Sequence, residues 1–176
     1  MSQEKQQAKV PFIGRFTINH DPREVAGDIL RELGINPLAY TTNNPILEWI
    51  DKAERKGVFI SRNSNIHSRL KLESTEMLGF AIADSYAPFV FVNSDDWNAP
   101  QLFTLVHELA HLWIAETGIS NDIEPLIHTS MDRNPVELFC NEVAVTAVRS
   151  YIGNTRPNSS IKLIHILFYT VYGIST

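Results

Sequence analysis

Cysteine is nearly absent: Cys140 is the single one in 176 residues. One thiol excludes an intrachain disulfide framework and a Cys-rich zinc finger. It also suits a reducing compartment, so the expected location is cytoplasmic. Positive charge is in deficit too, with 15 Lys and Arg against 20 Asp and Glu for a net charge of -5. Non-specific nucleic-acid binding is driven by cationic surface, so the balance argues against a general DNA binder. A long hydrophobic run is missing. The longest, residues 163–174, is interrupted by His165, Thr170 and Gly173. It falls short of the roughly 20 apolar residues that span a bilayer, and no membrane association is expected. The mildly basic residues 4–9 have no apolar stretch behind them, so no signal peptide is expected. Repeats and low-complexity tracts are absent as well. What remains is 44% hydrophobic and 20% charged, a globular composition. A chain of this length buries a core of its own, on the order of 68–70% of its unfolded surface.

Capping chemistry locates the helices. Asp21-Pro22-Arg23-Glu24 reads as cap, first-turn proline and third-position acid, followed by Val25, Ile29, Leu30 and Leu33 at helical spacing, with Gly34 as the stop. A second helix is expected over 44–55, ending before Gly57. Short β-type runs follow at 57–60, 77–83 and 88–93, the last two joined closely enough for a hairpin. Residues 11–16 read as a short extended segment. A third helix is expected from 98 to about Glu116, with Gly118 as its stop and a polar loop over 119–133. Asn134-Pro135-Val136-Glu137 repeats the cap–Pro–x–Glu pattern and opens a helix reaching 148 or 150. Helices, a small sheet, then helices again read as α+β.

The informative motif is His107-Glu108-Leu109-Ala110-His111, placed inside the third helix. Residues four apart share a helix face, about 5–6 Å between Cβ atoms, so both imidazoles can reach one Zn²⁺. Glu108 is rotated about 100° from His107, near enough to hold a metal-bound water without being a ligand. The flanking Leu102, Phe103, Val106, Leu109, Ala110, Trp113 and Ile114 make this helix apolar on most sides. Two histidines and a glutamate buried there are costly unless something binds them. A catalytic zinc needs a third protein ligand. Positions 114 and 117 are Ile and Thr, which excludes the His-x-x-Gly-x-x-His continuation. The candidates are Glu137, Glu142, the loop acids and His128. Glu137 shares a helix face with Cys140, Asn141, Ala144 and Val148, small enough for close packing. Spacing favours it, although as the third residue after Asn134 it could instead complete a capping box. Cys140 reads as a buried small residue. Asn141, one turn after Glu137, is either a residue orienting a ligand or a local cap.

The stretch Phe103-Thr104-Leu105-Val106-His107-Glu108-Leu109-Ala110-His111 resembles the F-T-x-x-H-E-x-x-H signature of the ImmA/IrrE family of metallo-endopeptidases. A strand ending in Asn precedes that signature in the family, as residues 88–93 do here. The family's E-x-x-A-N-x-F-A-A element is similar to residues 137–145, with Cys140 for Ala and Val143 for Phe. The resemblance covers roughly residues 20–148, including Gly79-Phe80, and fades beyond Val148. It implies a zincin-like fold: an α+β domain over 20–150 with a small mixed or antiparallel sheet, a helix carrying the motif, an N-terminal extension over 1–19 and a diverging segment over 151–176. It implies Zn²⁺ held by His107, His111 and Glu137, with Glu108 catalytic. In such a fold the strand at 89–92 lies beside the cleft, where its edge could pair with an extended substrate. Family members, bacterial and often encoded on mobile elements, commonly act on or with helix-turn-helix repressors of the XRE type. The resemblance therefore implies a zinc endopeptidase that cleaves a DNA-binding repressor without touching nucleic acid itself. The alternative is a non-proteolytic regulatory partner of such a repressor, as in a toxin–antitoxin pair, with a vestigial metal site.

Overall fold

The computed structural model describes residues 8–37, 44–63, 65–67, 70–71, 78–94, 98–116, 118–120 and 134–152. Helix α1 (Pro22–Glu32) starts where its capping chemistry places it, with the Asp21 carboxylate accepting the Arg23 N–H at 2.8 Å. It ends on Gly34 at φ +63°, where the Ile35 N–H donates back to Leu30 O at 2.8 Å. Helix α2 (Pro45–Arg55) buries Ile46, Trp49 and Ala53. Its end uses Gly57 at φ +93° and a bond from Val58 N–H to Ala53 O. Residues 57 and 58 therefore belong to the helix terminus, and strand β1 (Phe59–Arg62) begins two residues later than expected.

Strands β2 (Asn65–His67) and β3 (Leu70–Lys71) form a separate antiparallel pair that periodicity did not indicate. Strands β4 (Gly79–Ile82) and β5 (Phe89–Val92) form the expected hairpin, in register from Gly79↔Val92 to Ile82↔Phe89. The Asp84 carboxylate holds its turn by accepting the N–H groups of Tyr86 and Ala87.

Helix α3 (Asn98–Trp113) stops three residues short of the expected end. The stop is Ala115, at φ +54°, with the Glu116 N–H donating to His111 O at 3.0 Å. An alanine in this conformation carries no sequence signal, because glycine normally occupies it. Strand β6 (Gly118–Ser120) follows where a loop was expected. Helix α4 (Pro135–Ile152) opens under the Asn134 side chain, which accepts the Val136 N–H, and runs slightly beyond its expected end.

The main sheet has the order β1-β5-β4-β6, with β1 parallel to β5 and the other two pairs antiparallel. Helix α3 lies between this sheet and α4, with α1 packed on α4 and α2 on α3. Leu105, Val106, Leu109, Ala110 and Leu112 of α3 have no exposure, as its all-round apolar pattern requires. Among the described residues no helix is long and apolar enough to cross a membrane.

Residues 11–16 are a turn rather than an extended segment, with Arg15 N–H bonded to Phe12 O. The segment docks on the end of α3. Gly14 N–H donates to Leu112 O and Phe16 N–H to Trp113 O, both at 3.0 Å. The Trp113 carbonyl at the helix end is thereby satisfied, and Leu112 O, which also accepts the Ala115 N–H, gains a second donor. Phe12 stacks on Trp113 at 4.1 Å between ring centroids, and the Trp113 indole N–H donates to buried Asp28 at 2.9 Å. Segment 153–176, and the loop over 121–133 with His128, Asp122, Glu124 and Asp132, lie outside the described residues.

Candidate metal centre

Two helices build the site. Helix α3 supplies His107 and His111 one turn apart, and the first turn of α4 supplies Glu137. The helix cap at Asn134 fixes where that turn begins, and the packing of α4 on α3 aims its carboxylate at the imidazoles. His107 Nε2 lies 3.1 Å from Glu137 Oε2, His111 Nε2 lies 3.3 Å from Glu137 Oε1, and the two Nε2 atoms are 3.2 Å apart. Ligand atoms about 2.0–2.1 Å from a tetrahedral Zn²⁺ must lie roughly 3.3 Å from one another. The two Nε2 atoms are spaced close to that edge length, and the carboxylate offers one oxygen to each imidazole at a similar distance, so this donor set is of the right size to close on the ion. Two nitrogens and one carboxylate are also the ligand chemistry that zinc accepts.

Burial sharpens the electrostatics. His111 and Glu108 have no exposure and His107 has 5%, whereas the Glu137 side chain is 32% exposed and forms the open side of the cluster. Burial alone would raise the Glu137 pKa; its hydrogen bonds with His107 and His111, together with their charge, overcome this and hold it at about 2. Burial likewise opposes protonation of His111. The Glu137 hydrogen bond, the charges of Glu108 and Glu137, and the Glu116 backbone outweigh it, so that the pKa lies above its ordinary value. Burial, then the negative charge of Glu137, Glu108 and Glu116, pushes the Cys140 thiol up, which leaves it inert as a nucleophile.

The structure thus brings together three of the sequence candidates and separates the rest. Glu142 is exposed on α4, away from the imidazoles. Asn141 is half-buried one turn beyond Glu137 and makes no hydrogen bond to the three ligating side chains. Trp49 and Trp113 are buried packing residues. Strand β5 offers no edge to a substrate, because β1 and β4 occupy both of its sides. The far side of β4 is taken in turn by β6, with Gly79 opposite Ser120. Sequence reasoning did not single out Asp28, which accepts Arg15 at 2.7 Å and also pairs with Arg31 and Trp113. Its signal was an acid at an apolar position of an amphipathic helix, one turn after Val25.

An α+β fold with two histidines of an H-E-x-x-H helix facing a glutamate on the next helix belongs with the metallopeptidases. Residues 53–147 match the peptidase M78 family, described as the IrrE N-terminal-like domain. The match spans more than half of the chain and contains all three ligand candidates, and the protein belongs to the ImmA/IrrE family. No curated protein and no solved structure matches the chain significantly.

Proposed function

We propose that the protein is a zinc-dependent endopeptidase of the cytoplasm, and that its substrate is a helix-turn-helix repressor of the XRE type whose cleavage relieves repression. The observation that supports this most is the meeting of His107, His111 and Glu137, with ligand atoms all within 4.8 Å of one another, in a chain of a peptidase family. His107, His111 and Glu137 would hold the ion. Zinc, when bound, supplies a Lewis acid that acidifies a water and polarises the scissile carbonyl. Glu108, one residue beyond His107, takes the proton from the attacking water on its carboxylate and delivers it to the departing amine nitrogen. The full burial of Glu108 and His111 strengthens both electrostatic effects. The half-exposed flank at Glu137 is the side from which a peptide would approach.

One observation favours a second reading, in which the protein regulates a repressor by binding it. Glu108 and His111 have no exposure, as suits a purely structural metal site. Glu108→Gln separates the two, because it removes the proton carrier and leaves the ligands in place. The endopeptidase reading expects a loss of at least about 10² in cleavage rate with zinc retained. Full biological activity in the zinc-loaded variant would leave the binding role standing and end the proteolytic one.

A further inference from the structure

Gly79 opens β4 and directs its missing side chain at α3, on the face shared by Ala81, Val90 and Val92. Its φ is not positive, so backbone conformation does not call for glycine there. Space does. A Cβ on Gly79 would lie 2.8 Å from Phe91 O, 2.8 Å from Thr104 Cγ2 and 3.1 Å from Glu108 Oε1. Thr104 and Glu108 are one helical turn apart on α3, so the Gly79 backbone sits in the notch between them. Two residues along the same strand face, Ala81 is also fully buried, yet its Cβ is accommodated. The approach of strand to helix is therefore tight at Gly79, against Thr104 first and Glu108 next. Glycine inside a strand costs stability and marks a place where another group comes close.

We propose that Gly79 is a positioning residue for Glu108. The absent side chain lets the β4 backbone seat between the Thr104 methyl and the Glu108 carboxylate, and this contact sets the direction in which the carboxylate is presented. Glu108 has no exposure, so packing rather than solvent decides where its oxygens lie. The inference rests on the reading of Glu108 as the proton carrier beside the metal. A methyl at position 79 presses on Oε1 and turns the carboxylate away. The atoms nearest a Cβ at position 79 belong to Phe91, Thr104 and Glu108 rather than to His107, His111 or Glu137, so the ligands are expected to keep the ion.

The test uses the full chain loaded with Co²⁺, whose visible absorption reports the groups around the metal at a single fixed pH. Glu108→Gln is expected to alter the band envelope. Gly79→Ala should alter it in the same direction, while one cobalt is bound per chain with a dissociation constant within about threefold of wild type. The double variant should match Glu108→Gln, because the two changes act through one group. Thr104→Ser removes only the methyl beside Gly79, loosens the seat of the strand against the carboxylate and should also move the spectrum away from wild type; it decides the matter if Gly79→Ala does not fold. A wild-type spectrum in Gly79→Ala, or in Thr104→Ser where the former is unfolded, overturns the proposal when Glu108→Gln has altered the spectrum. An unaltered spectrum in Glu108→Gln instead defeats the reading of Glu108 itself, and the proposal with it.

Discussion

At the scale of single residues, Glu137 carries the sharpest expectation. It is the one ligand candidate contributed by a second helix, and without it two imidazoles remain, too few for a tight zinc site. If the proposed site holds one zinc per chain, Glu137→Ala should keep the fold and lose most of it, measured by metal analysis after dialysis beside the wild type. The same residues set a pH dependence of opposite sign with and without metal. In the metal-free protein the His111 pKa is raised, so its contribution to stability is complete below about 6.5 and is lost as pH rises through the folded value. The Glu137 pKa is depressed to about 2, so its contribution is present above about 4.5 and is lost as pH falls toward 2. Thermal melts of the metal-free protein should therefore show higher stability near pH 5.5 than near pH 8. Zinc requires the neutral imidazole, so zinc-induced stabilisation should grow over the same interval. Melting temperatures that move in parallel with and without zinc would contradict this assignment of the protons.

At the scale of elements, the end of α3 is held by a segment far away in sequence. Residues 12–16 cap its carbonyls, Phe12 covers Trp113, and Asp28 of α1 receives the indole N–H and two arginines. Glycine is required at position 14 because its φ is +69° and a Cβ would lie 2.9 Å from that of Ala115. Phe12→Ala removes a fully buried ring and should cost about 3–5 kcal/mol. Asp28→Ala leaves the Trp113 N–H unpaired, but Arg15 and Arg31 can turn to water. Its cost should stay near the lower end of the range for a broken buried pair, about 3 kcal/mol. Urea unfolding followed by fluorescence measures both. Because His111 lies two residues before Trp113, both variants should also release zinc more readily than equally destabilised variants of α2.

At the scale of the whole molecule, metal and fold are linked, because the donors converge across two helices that meet only in the native state. Free zinc at 100 times its dissociation constant should add about 2.7 kcal/mol. That is a rise of roughly 5–11 °C in melting temperature for a chain of this size, abolished by a chelator. The chain itself made much of this legible. Caps at Asp21 and Asn134, glycine stops at Gly34 and Gly57, and the β4–β5 hairpin are local chemistry, in which each residue acts on neighbours a few positions away. His107, Glu108 and His111 belong to the same category, because one helical turn fixes their spacing. Strands β2, β3 and β6 were invisible, since two or three residues carry no periodicity and exist as strands through their partners. Likewise the end of α3 at Ala115 depends on capping from residues about 100 positions earlier. Spacing and the family resemblance favour Glu137 over Glu142, and the packing of α4 on α3 sets the Glu137 carboxylate against the imidazoles. The sequence by itself therefore determined the helices, the hairpin and the two histidines, all through short-range backbone geometry. Tertiary packing alone decided where α3 ends, which sheet edges are closed and how little room Gly79 leaves beside Thr104 and Glu108, because those contacts join segments that only the folded core brings within reach.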